Sequence, residues 1–155
     1  MAKTKAVAAG SGGITANIAV RDARAAIDFY CKAFGAVELF RLIDPTSDRI
    51  GHAELRIGNG LLMLSDEYPD FGAISPDALG GTAVKLHIDT ADADQMFANA
   101  LKAGATQLRK PELQFHGCKQ GLVADPFGYS WFISQKQQDV TPAEMQKRWN
   151  KMTKL

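Results

Sequence analysis

Two stretches of the chain repeat one pattern of apolar and polar positions. In NIAVRDARAAIDFYCKAFGA (17–36) and HIDTADADQMFANALKAGA (87–105), a short alternating run leads into an Asp-Ala step. An amphipathic segment follows and ends in Lys-Ala ahead of a glycine. Asp22 and Asp92, Ala23 and Ala93, Lys32 and Lys102, and Ala33 and Ala103 all stand 70 residues apart. Ile27, Tyr30 and Phe34 fall at i, i+3, i+7, and Phe97, Ala100 and Leu101 at i, i+3, i+4, so each segment predicts a helix with one apolar face. Asp22 and Asp92 suit N-caps, whose carboxylates accept the free amides of a first turn. Gly35 and Gly104 suit the left-handed residue that closes a helix.

Three strand-like runs follow each helix. The first set is 36–43, 49–58 and 61–67, with a Gly-Asn-Gly turn between the last two. The second set is 105–110, 118–125 and 129–135, with Pro126-Phe127-Gly128 as its turn. The pattern therefore predicts an α+β domain over 13–136, built from two βαβββ modules at 13–67 and 82–136. A linker at 68–81, with two prolines and three glycines, joins them. Residues 1–12 are expected to be a flexible N-terminus and 137–155 a helical tail. In that tail Thr141, Pro142 and Glu144 form a capping box, and Met145, Arg148 and Trp149 share a face. This helix is expected to dock on its own domain or on a partner subunit.

Composition narrows the function. The 155 residues are 46% hydrophobic and 23% charged, with a formal net charge of +1, as in an ordinary globular domain. No basic stretch has the density or aromatic interleaving of a nucleic-acid surface. No run approaches the ~18 apolar residues of a membrane span. Cys31 and Cys118 lack C-x-x-C spacing and suit a reducing, cytoplasmic setting.

The duplicated unit, together with AVRDARAAIDFYCKAFGA, the hairpin GHAELRIGNGLLMLSDE and the late DPFGYSW, resembles the glyoxalase/bleomycin resistance protein/dioxygenase (vicinal oxygen chelate) superfamily. More narrowly, with its Thr-Pro-x-Glu-Met tail, it resembles the PhnB-like branch. The resemblance covers about residues 13–150. It implies two modules curling into a cupped mixed sheet with helices outside, a small-molecule ligand in the cup, and a homodimer. Members include metal-dependent lyases, isomerases and dioxygenases as well as binding proteins, so the fold alone does not fix the activity.

In the superfamily's metalloenzymes a cation is held by one side chain from the first and one from the last strand of each module. The resemblance carries those positions onto Thr15, Met63, Lys85 and Phe132. Their side chains do not make a hard-cation or zinc site, so no cofactor is expected in the standard place. Alternation places Ile14, Ala16, Ile18 and Val20 toward the helix, with Thr15, Asn17 and Ala19 inward. In the second module Val84, Leu86 and Ile88 face the helix, with Lys85, His87 and Asp89 inward. His52, Glu54 and Arg56 alternate on one face of the third strand. His52 and Glu54 with His87 would form a relocated His₂-carboxylate set suited to a divalent metal.

Lys85 in a half-apolar cup requires an anion, either Asp89, Glu54 or a ligand. Phe115 and His116, in the loop before the seventh strand, could close over that ligand. Cys118 lies near His116 in sequence, but one Cys and one His do not establish a catalytic dyad. The leading expectation is a protein that binds a small anionic or polar molecule through Thr15, Asn17, His52, Glu54, Met63, Lys85, His87, Phe115, His116 and Phe132. The alternatives are an enzyme using a relocated metal or an acid/base group among His87, Lys85 and Glu54, and a structural dimer that contacts a partner through its tail.

Overall fold

The structure is a computed structural model and describes residues 13–154. The first module runs β1 (Ala16–Ala19), α1 (Ala23–Phe34), β2 (Val37–Ile43), β3 (Ile50–Ile57) and β4 (Gly60–Ser65). A 3-10 turn (Pro69–Phe71) and a short helix α2 (Pro76–Leu79) occupy the linker. The second module runs β5 (Lys85–Asp89), α3 (Ala93–Ala103), β6 (Thr106–Leu113), β7 (Cys118–Ala124) and β8 (Ser130–Lys136), and the tail forms α4 (Pro142–Met152). Among the described residues no helix is long and apolar enough to cross a membrane.

The two modules make matching four-stranded mixed sheets, ordered β1-β4-β3-β2 and β5-β8-β7-β6. In each, the first strand pairs parallel to the last, and the other pairings are antiparallel. The helix starts match too. Asp22 Oδ1 accepts from Ala25 N–H at 3.0 Å and Asp92 Oδ1 from Gln95 N–H at 2.9 Å. The first helical amides are tied to the end of the sheet, Ala23 to Asp66 and Ala93 to Gln135. Gly35 and Gly104 close the helices with φ of 66° and 118°. Pro111 is tolerated in β6 because that strand is a sheet edge, where a missing N–H costs no ladder bond.

The helices pack against one another and against the sheets; Ile18, Val20 and Ile88, expected to face the helices, are buried in the core together with Leu55, Leu64, Val123 and Ile133. Two expected core positions depart from it. Ile14 and Val84 are exposed, because β1 and β5 begin only at Ala16 and Lys85 and the chain ahead of each strand has no ladder to hold it against the helix. The modules are joined through α1. Tyr30 and Phe34 pack on Trp131, Phe29 packs on Phe127, and Tyr30 Oη donates to buried Asp125 at 2.7 Å.

Candidate functional site

The polar candidates lie on the sheet faces turned away from the helices, one set on each module. In the first module Asn17, Met63, Glu54 and Phe40 form one line across β1, β4, β3 and β2. Glu54 is buried between Met63 and Phe40, and His52 Nε2 contacts its carboxylate at 3.4 Å. The His52 ring also packs against Phe40, 5.7 Å between centroids. Thr15 lies just ahead of β1 and is exposed, so it stands outside the line it was expected to open.

In the second module the equivalent line is His87, Phe132, Leu122 and Arg109. Two cations converge on its central ring from opposite edges of the sheet. Lys85 Nζ sits 5.7 Å from the Phe132 centroid and Arg109 Cζ 5.8 Å from it. The His87 ring lies 6.2 Å away. Arg109 Nη2 donates to Gln120 Oε1 at 3.0 Å, whereas its buried Nε has no partner among the described residues. Ser134 Oγ, on the same face, is likewise buried without one. Lys85 is exposed, so the counter-ion it was expected to require is not demanded by burial; among the described residues it forms no ion pair, and Asp89 is engaged by His87 Nε2 at 3.0 Å.

Phe115 and His116 form the tight turn between β6 and β7, at one end of this face. Burial, then the nearby His87 and Arg109, hold the His116 imidazole below the ordinary histidine range. His116 and Cys118 also line a cavity of about 360 Å³ beneath the start of α4. A further cavity of about 450 Å³ opens between the Gly58–Leu62 hairpin and Leu86–Asp89, at the module junction; only His87 among the site candidates reaches it.

The relocated metal set is not assembled. His52 and Glu54 lie together on β3, but His87 belongs to edge strand β5 of the other sheet and is held by Asp89. Among the described residues no three His, Cys, Asp or Glu side chains gather in a metal-holding group. Sequence reasoning also missed Arg109, Gln120 and Ser134. A bulge between Gln107 and Arg109 shifts the register of β6, so alternation could not place Arg109. Gln120 was readable from its alternation with Gly121 and Val123.

Residues 14–133 match the Glyoxalase/Bleomycin resistance protein/Dioxygenase superfamily. The chain belongs to it. A Mycobacterium tuberculosis relative, Rv0887c, is 43% identical over 136 residues, spanning 86% of this chain and 79% of its own. The Arabidopsis thaliana protein At5g48480 is 29% identical over 75% of this chain and 73% of its own. Among solved structures, TioX from Micromonospora sp. ML1 superimposes with a TM-score of 0.64 at 25% identity, covering 81% of this chain and 98% of TioX.

Membership in the superfamily raises the question of its metal, and the residues at the inherited positions do not fit one. Lys85 offers an ammonium, Phe132 a phenyl ring and Met63 a thioether, and Thr15 lies outside the strand. None of these supplies the oxygen, imidazole or thiolate donors that a divalent cation requires, apart from one hydroxyl.

Proposed function

We propose that this superfamily member is a PhnB-like cytoplasmic homodimer that binds a small anionic molecule on the open face of its second module, with no metal in the standard place. The observation that carries this reading is the convergence of Lys85 and Arg109 on Phe132 without a carboxylate partner among the described residues. Two cations beside one ring give this open face a local positive charge that favours an anion, and both present charged donors to it. Phe132 and Leu122 supply apolar contact for the rest of the ligand, and His87 and His116 supply polar contacts at its edge.

Sulfate is a suitable probe, because its charge does not change near neutral pH. Lys85→Met and Arg109→Gln should each weaken sulfate binding about tenfold or more in calorimetry, as expected for a charged hydrogen bond of roughly 1.5–3 kcal/mol. Affinity unchanged in both variants would contradict the proposal.

A further inference from the structure

Resting on that anion-site reading, we infer that α4 is a clasp: Arg148 and Trp149 set the position of His116 against Arg109 and His87, and so regulate the site. The tail reaches the 114–117 turn by several independent contacts. Arg148 Nη1 donates to the Phe115 carbonyl at 3.3 Å and to Gln138 Oε1 at 3.2 Å, while Glu144 holds the same guanidinium at 3.1 Å. The Trp149 ring packs on Phe115, 5.2 Å between centroids, and Phe115 meets His116 edge-on at 5.1 Å. The chain leading to α4 is seated as closely. Gln137 and Gln138 N–H groups both donate to the Gly117 carbonyl, at 3.1 and 2.9 Å. A Cβ on Gly117 would lie 2.7 Å from Val140 Cγ2, so only glycine, here with φ of 88°, lets the turn sit this close.

The groups around His116 come from every neighbouring element. They are His87 on β5, Arg109 on β6, Cys118 on β7, the Lys136–Asp139 ion pair at the end of β8, and the tail that holds Phe115. In this position burial, then His87 and Arg109, disfavour the charged imidazole of His116 and hold its pKa below the ordinary value. As pH falls through its lowered pKa it gains charge beside Arg109, and the anion site gains a third cation. If the clasp opens, His116 moves toward solvent, its pKa returns toward the ordinary value, and the gain occurs at higher pH.

The test follows the imidazole resonances of all three histidines by NMR in the full-length chain without ligand, in wild type, Arg148→Ala and Arg148→Ala/Trp149→Ala. The expected result is an upward shift of the His116 titration in both variants, with His52 unchanged as a control for folding. Coincident His116 curves in wild type and the double variant would overturn the clasp. Sulfate binding measured across the same pH range separates the two ideas. An upward His116 shift with no sulfate binding at any pH leaves the clasp standing and removes the anion site. Sulfate binding with an unmoved His116 removes the clasp alone.

Discussion

Asp125 shows what a single residue of the DPFGYSW stretch does. Its carboxylate accepts from Tyr30 Oη at 2.7 Å, Trp131 Nε1 at 2.8 Å, and the Phe127 and Tyr129 amides at 2.8 and 2.9 Å. It therefore shapes its own turn and also fastens the second module to α1 of the first. Burial, followed by the Asp125 charge, raises the Tyr30 phenol well above its usual value, so this bond keeps its proton throughout the physiological range. Asp125→Ala would strand four buried donors and should cost about 3–5 kcal/mol in denaturant unfolding. A loss below about 1 kcal/mol would show that the carboxylate is not the fastening. At this scale the sequence revealed residue types better than their partners. His52, Glu54, Lys85, His87 and Phe132 were all visible as polar or aromatic positions on one strand face, and His116 as a loop residue beside them. That Asp89 would take His87 rather than Lys85 depends on side-chain reach, which alternation does not encode.

Whole elements were more legible, because caps and periodicity are local. Asp22, Asp92 and Thr141 cap the helices they were expected to cap, and the βαβββ order appears in both modules. The exceptions have physical causes. The linker carries a one-turn helix, α2, started by Ser75 and Pro76, too short to show a periodic stripe. Gly121 in β7 marks where α3 presses on the sheet. A Cβ there would lie 2.8 Å from two ring carbons of Phe97 and 3.1 Å from Pro111. Gly121→Ala should lower stability by about 1–3 kcal/mol through overpacking, read as a fall in Tm. Gly60→Ala, where the nearest atom would be an ordinary 3.6 Å away, should fall by less. Equal Tm values for the two variants would contradict this packing.

At the scale of the molecule, the duplication was readable but the joining of its halves was not. Tyr30 and Asp125 are 95 residues apart, and no local pattern announces that α1 packs into the other module. The same limit hid Arg109, the second cation of the proposed anion site. Lys85 and Arg109 approach from opposite edges of one sheet, and only the folded register brings both to Phe132. The two open faces also differ in charge. The first holds buried Glu54 with His52 and Arg56, so its fixed charges balance; the second holds Lys85 and Arg109 against Asp89, with His87 and His116 beside them. An anion should therefore choose the second face. Sulfate titrated into the isotopically labelled protein at fixed pH and ionic strength tests this directly. The account predicts saturable shifts of the His87, His116 and Phe132 resonances with His52 unmoved; no saturable shift, or one confined to His52, would contradict it.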